Sequence, residues 1–140
     1  MADPSSDDLK ALAEMRLGDA EALLRAGRHS AAYYLAGYAV ECGIKAVIAL
    51  SFRANVFPSF RFVRDIHTHD LVALLTLAGL KRDLDVATAA DVQLSANWAF
   101  ANGWKETSRY ERIDPFTANR MLAAVGDAEA GVLQWLKTRW

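Results

Sequence analysis

The run from Ala31 to Leu50, AAYYLAGYAVECGIKAVIAL, is almost free of charged side chains. Its two ions, Glu41 and Lys45, stand one helical turn apart. Twenty mainly apolar residues are long enough to cross a bilayer, but each ion near the centre of a spanning helix costs about 2.5–3.5 kcal/mol. The run therefore predicts a buried central helix of a globular domain rather than a membrane span, and we expect no membrane association.

At 100° per residue, this helix has two contrasting faces. One face is polar and aromatic, and the nearly opposite face is a ridge of small residues. The first comprises Tyr34, Tyr38, Glu41 and Lys45, and the second Ala32, Ala36, Ala39 and Gly43. A small-residue ridge allows another helix to approach closely, so the pattern predicts a helix covered by protein on several sides.

The composition is that of one ordinary domain spanning residues 1–140, with a net charge of −1. This near-neutral charge provides no global attraction to nucleic acid or to anionic membranes. The single cysteine, Cys42, lies within the apolar run and excludes an intrachain disulfide, so we expect a structural thiol. The N-terminus has no secretory pattern, which favours a cytoplasmic protein. The sequence offers no convincing metal-ligand cluster, and we expect no metal or cofactor.

Capping residues, glycines and apolar periodicity predict an all-α fold. After a flexible N-terminus of residues 1–6, the pattern predicts an up-and-down bundle of four long helices and one short helix. An irregular linker over residues 54–68 separates the second and third helices. The predicted ranges are about 7–26, 30–53, 68–79 (the short helix, capped by Thr68 and ended by Gly79), 82–102 and 115 to nearly 140.

One charge interrupts the apolar face of the first predicted helix. Arg16 projects from that face, and a buried guanidinium needs a carboxylate partner. Glu41 on the central helix is the candidate, with Lys45 one turn away. The sequence therefore predicts a structural polar network of Arg16, Glu41 and Lys45.

Three short motifs resemble a known family. AVECGIKA resembles the A-x-E-x-x-x-K-A core of HEPN domains, and His69-Asp70-Leu71 and Arg109-Tyr110 resemble two further landmarks in the expected order. The resemblance implies a helical bundle that forms homodimers. Many HEPN proteins are encoded beside minimal nucleotidyltransferases as toxin–antitoxin or defence pairs, and an active subset cleaves RNA without metal. Expected partners are therefore a second copy, a nucleotidyltransferase, and a nucleotide or RNA.

The ribonuclease motif of the family is incomplete in this chain. Ribonuclease members carry an Arg followed, after four to six residues, by a His that acts in proton transfer. Arg109 has no such His, because all three histidines lie in the N-terminal half. We therefore expect a non-catalytic binding domain. The alternative is a metal-independent ribonuclease that uses Arg64 and His69, which satisfy the spacing, with help from Arg109.

Two basic clusters are candidates for binding nucleotide or RNA. In the linker, Phe57, Phe60 and Phe62 alternate with arginines, a pattern that can stack bases and bind phosphates. We instead expect the phenylalanines to anchor the linker to the bundle. The second cluster surrounds Arg109 and Tyr110, which can equally fix the loop or line a dimer cleft. The candidate binding residues are Arg53, Arg61, Arg64, Lys105, Arg109 and Tyr110.

Overall fold

A computed structural model describes residues 2–140 of the chain. Over these residues it contains α-helices and one 3₁₀ helix but no strand, which confirms the all-α prediction. The helices are α1 (Ser6–Arg25), α2 (His29–Leu50), α3 (Phe60–Asp65), α4 (Leu71–Leu77), α5 (Lys81–Ala90), α6 (Val92–Ala101), the 3₁₀ helix (Glu106–Tyr110), α7 (Pro115–Gly126) and α8 (Val132–Lys137).

Helix α1 begins in a capping box. The Ser5 hydroxyl accepts from the amide of Asp8 at 3.1 Å, and the Asp8 carboxylate accepts from the amide of Ser5 at 2.8 Å. The Ser6 hydroxyl donates to the carbonyl of Ala46 and joins the start of α1 to α2. Ser5 and Ser6 thus belong to the helix start, while Met1 of the predicted flexible segment lies outside the described residues. Gly27, at φ +73°, ends the helix as predicted.

Helix α2 is the centre of the bundle. It packs against α1, α4, α7, α8 and the 3₁₀ helix. The alanines of the small-residue ridge are fully buried, and the space above Gly43 is occupied by Leu133 and Leu136 of α8. The ridge therefore admits a neighbouring helix, as its composition predicts. The polar and aromatic face turns toward the 3₁₀ helix and the start of α4.

By length and composition, α2 could cross a membrane. Its most apolar window has a mean hydropathy of 1.3, and 61 % of that window is buried inside the bundle. The core helix of a globular domain has the same composition, so this feature is weak evidence for a span.

The predicted helix over 82–102 is divided at Asp91. Asp91 adopts an extended conformation, and its carboxylate accepts from the amides of Gln93 and Leu94 at 3.0 and 3.1 Å. It therefore ends α5 and caps α6. The prediction of one continuous helix was wrong here because the apolar stripe continues across the break.

The last predicted helix is also divided, by a turn at residues 127–131. The Asp127 carboxylate accepts from the amides of Glu129 and Ala130. A side chain at Gly131 would place its Cβ only 2.5 Å from the Asp127 carbonyl oxygen. The buried Asn97 of α6 donates to the Ala130 carbonyl at 2.8 Å and fixes this turn against the bundle.

The predicted irregular linker contains a short helix, α3. The Ser59 hydroxyl caps it by accepting from the amide of Phe62 at 3.2 Å. Phe62 packs against the core and lies 5.6 Å from Phe52 between ring centroids, so it anchors the linker as expected. The same expectation was wrong for Phe57 and Phe60, which are 98 % and 78 % exposed.

Candidate functional site

A cleft of about 540 Å³ opens between two connecting segments of the bundle. Its walls are residues 67–72, which lead into α4, and residues 102 and 104–107, which lead from α6 into the 3₁₀ helix. We call it the main cleft. It contains two segments that carry HEPN-like motifs or candidate binding residues, and it is the candidate functional site.

Helix α4 begins at the main cleft through local capping. The Asp70 carboxylate accepts from the amide of Ala73 at 2.9 Å, and the Thr68 hydroxyl accepts from the amide of Asp70 at 3.2 Å. Asp70 is therefore the N-cap, two residues later than the predicted Thr68 cap. This geometry places His69 immediately before the cap.

The ring of His69 joins the buried carboxylate of α2. Glu41 is only 2 % exposed, and its Oε1 accepts from Nδ1 of His69 at 2.7 Å. Its other oxygen accepts from Nζ of Lys45 at 3.3 Å. The Glu41–Lys45 part of the predicted network is therefore present, and His69 is a partner that the sequence reasoning missed.

The predicted contribution of Arg16 to this network was wrong. Its guanidinium pairs with Asp19 at 2.8 Å, one turn further along α1. A carboxylate three residues away on the same helix lies within reach of a side chain that remains one-third exposed. Arg16 consequently needs no partner on α2.

The network continues from His69 to the 3₁₀ helix. Nε2 of His69 lies 3.3 Å from Oε2 of Glu106, whose other oxygen accepts from Arg109 at 2.7 Å. Alternating basic and acidic side chains thus connect α2 to the 3₁₀ helix, and we call this set the ion-pair chain. Its members in order are Lys45, Glu41, His69, Glu106 and Arg109.

Arg109 is held from two sides. Its guanidinium lies 4.9 Å from the ring centroid of Tyr110. Hydrogen bonding to Tyr110, then to Tyr34, and pairing with Glu106 hold the pKa of Arg109 above its usual range. Arg109 and Tyr110 therefore help to fix the loop, one of the two alternatives that the sequence left open.

Trp104 forms the floor of the main cleft and is only 3 % exposed. Its indole lies directly over Gly37 of α2, and its ring is 5.8 Å from Tyr34 between centroids. Tyr34 in turn stacks nearly parallel to Tyr38. The cleft floor therefore depends on the absence of a side chain at Gly37, which the sequence reasoning placed on neither face.

Cys42 has no catalytic geometry. Burial raises the pKa of its thiol to about 11, and burial likewise raises the pKa of the neighbouring Tyr38 hydroxyl to about 12. Since the thiolate is the nucleophilic form, Cys42 is unreactive at neutral pH. It is the structural thiol that its position predicts.

The two predicted catalytic residues of the linker region have different partners. Arg64 pairs with the adjacent Asp65 at 2.9 Å and lines a second cleft of about 560 Å³. His69 lines the main cleft, and Thr68 lines both. Glu106 thus connects His69 to Arg109. Within residues 2–140, no hydrogen bond or ion pair connects His69 to Arg64, its predicted catalytic partner. Over residues 2–140, no group of three or more His, Cys, Asp or Glu side chains is placed to hold a metal ion.

The predicted binding residues divide between two regions. Lys105 is exposed on the main cleft, with Arg109 and the exposed Tyr110 beside it on the 3₁₀ helix. Arg53 follows α2, whereas Arg61 and Arg64 lie on α3. This second region, which consists of Arg53, Arg61 and Arg64, borders the second cleft through Arg64.

Comparison with known protein families matches residues 6–139 to the HEPN domain. Searches of curated proteins and of solved structures give no significant match. The match covers the complete bundle from α1 to α8, including both walls of the main cleft. The chain therefore belongs to the HEPN domain family.

Proposed function

We propose that this protein is a non-catalytic HEPN domain that binds a nucleotide, or a nucleotide unit of RNA, in the main cleft. The observation that carries the proposal is the ion-pair chain. Both ring nitrogens of His69 face carboxylates, those of Glu41 and Glu106, and the guanidinium of Arg109 pairs with the other oxygen of Glu106. His69 and Arg109 are thus occupied by internal partners.

Cleavage of RNA without metal requires groups that are free to act on the substrate. A general base must reach the attacking hydroxyl, and a cation must reach the phosphate charge that develops in the transition state. His69 and Arg109 are held by Glu41 and Glu106 instead. This arrangement favours a structural role for the pair and a binding role for the cleft.

The lining of the main cleft suits a small phosphorylated ligand. Its volume lies in the range of small-molecule sites. Lys105 and His67 supply nitrogen donors, and Thr68, Thr107 and Asn102 supply polar groups that can bind phosphate or sugar oxygens. Lys105 is exposed and can move its ammonium group to meet a phosphate.

Titration with fluorescent analogues of ATP, GTP, CTP and UTP tests the binding proposal. We expect saturable binding of at least one nucleotide, and about a tenfold loss of affinity in Lys105→Ala because one charged hydrogen bond is removed. Arg25→Ala, a basic residue at the end of α1 outside the cleft lining, is the matched control and is expected to bind normally. Absence of saturable binding to all four nucleotides would refute the proposal.

A ribonuclease is the second candidate, because the ion-pair chain holds His69 and Arg109 in one network beside the cleft. Incubation of the purified protein with structured and single-stranded RNA in EDTA separates the two functions. We expect the RNA to remain intact at high protein concentration. Cleavage that disappears in His69→Ala, with the helical circular dichroism retained, would establish the ribonuclease and overturn the non-catalytic proposal.

We further propose that the protein works as a homodimer and as a partner of a minimal nucleotidyltransferase. Membership in the HEPN family and the exposed aromatic ring of Tyr110 support an interface near the 3₁₀ helix. Light scattering at micromolar concentrations is expected to give twice the chain mass of 15.4 kDa. A monomer over this whole range would contradict the homodimer.

A further inference from the structure

The stretch from the end of α2 to the first turn of α3 presents exposed aromatic rings among arginines. Phe57 is 98 % exposed and Phe60 78 % exposed, although both are large and apolar. Arg53 lies on the same segment and Arg61 follows Phe60 directly. We call residues 52–61 the aromatic tip. Exposed apolar rings at such density mark an interaction surface.

The aromatic tip is held in shape by local contacts. Asn55, at φ 62°, turns the chain, and Ser59 caps α3. The ring pair of Phe52 and Phe62 joins the two ends of the segment. The ring of Phe57, which lies between these contacts, is exposed and therefore available to a partner.

Positive charge accompanies these rings. The side chains of Arg61 and Arg64 are 86 % and 61 % exposed, and Arg53 is exposed as well. Asp65 is the one acidic residue between positions 50 and 65, and it pairs with Arg61 at 3.7 Å and with Arg64 at 2.9 Å. Three cations against one carboxylate make this surface complementary to an anionic partner.

The aromatic tip continues into the clefts. Arg64 at the end of α3 lines the second cleft, and Thr68 lines both the second cleft and the main cleft. The six residues of α3 rise about 9 Å, and residues 57–60 span about 10 Å if extended. Phe57, α3 and the second cleft therefore follow one another along the chain over at most about 20 Å, a length comparable to that of a few nucleotides.

We propose that a single strand of nucleic acid follows this path, with one nucleotide in the main cleft, phosphates beside Arg64 and Arg61, and bases stacked on Phe60 and Phe57. Phenyl rings stack on any base, and guanidinium groups pair with the intervening phosphates. The inference rests on the proposed nucleotide site in the main cleft. An anionic membrane would also attract the tip, but the membrane would leave the clefts empty, whereas a strand uses the whole path.

Fluorescence anisotropy with labelled eight-nucleotide RNA and DNA, beside a labelled mononucleotide, tests the path. The wild-type protein is expected to bind the eight-mer at least tenfold more tightly than the mononucleotide. The double variant Phe57→Ala/Phe60→Ala is expected to lose about tenfold or more for the eight-mer and nothing for the mononucleotide. Asp65→Asn is expected to bind the eight-mer more tightly, because it frees two guanidinium groups.

Phe116→Ala is the matched control, because Phe116 is 79 % exposed at the start of α7, outside the tip and both clefts. It is expected to bind both ligands normally. Equal eight-mer affinity in the wild type and the Phe57→Ala/Phe60→Ala variant would overturn the path while leaving the nucleotide site intact. If the wild-type protein did not bind the mononucleotide, the proposed function would be refuted instead. If the protein instead bound phosphatidylserine vesicles in a Phe57-dependent manner and had no affinity for the eight-mer, the partner of the aromatic tip would be a membrane and the nucleic-acid proposal would be wrong.

Discussion

Replacing Glu41 with alanine is expected to lower the free energy of unfolding by about 3 kcal/mol. The substitution removes a buried carboxylate and leaves Lys45 and His69 without their shared partner. Breaking buried ion pairs costs about 3–5 kcal/mol, and the lower figure applies because Lys45 and His69 keep access to water. Thermal denaturation followed by circular dichroism is expected to show a melting temperature reduced by about 10 °C.

Glu106→Ala is the matched control for this prediction. Glu106 also binds His69, but it lies at the surface end of the ion-pair chain with 32 % of its side chain exposed. Exposed ion pairs contribute at most about 1 kcal/mol, so this variant is expected to remain nearly as stable as the wild type. Unchanged stability of Glu41→Ala, or equal losses in the two variants, would show that the buried carboxylate does not hold the bundle together.

Replacing Gly37 with alanine is expected to destabilise the protein by about 1–3 kcal/mol, although alanine is the better helix former. The added Cβ would overlap Cδ1 and Nε1 of the Trp104 indole. The indole is buried and packs against Tyr34, so it cannot move away freely. Urea denaturation is expected to give a lower midpoint, with a change in tryptophan fluorescence of the folded state.

Gly18→Ala provides the opposite control. Apart from the backbone of α1 itself, no atom of residues 2–140 lies within 4 Å of a Cβ at Gly18, so this variant is expected to gain about 0.5–1 kcal/mol. Combining Gly37→Ala with Trp104→Leu is expected to cost less than the sum of the two single changes, because the smaller side chain relieves the contact. Additive losses would indicate that Trp104 is not the residue that excludes a side chain at position 37.

The two broken helices show the limit of apolar periodicity. An apolar stripe reports which residues face the core, and it continues through a break when the next helix uses the same core. In the first case, the sequence signal for a break was Asp91 itself, a capping residue inside the apolar stripe. In the second case, the signal was Asp127 followed by Gly131. Whether such residues end a helix depends on neighbouring contacts, such as the bond from Asn97 to the Ala130 carbonyl.

The candidate site was predictable in part. The cleft walls carry His69 and Lys105, which the sequence singled out, and Glu41 and Lys45 form the expected pair. The partner of His69 was not predictable, because it lies 28 residues away on another helix. The outward orientation of Phe57 and Phe60 was equally hidden, since apolar residues in a linker more often face the core.

The sequence alone determined the all-helical class, the central helix α2 with its small-residue ridge, and the HEPN membership indicated by AVECGIKA. The first two features follow from local periodicity, and the third follows from the resemblance of short motifs to HEPN domains; all three are fixed by the order of residues. The tertiary structure decided which charges meet. It paired Arg16 with Asp19, joined Glu41 to His69 and Glu106 to Arg109, and left the aromatic tip in solvent. Such pairings depend on the distances between elements, which packing sets and linear spacing does not.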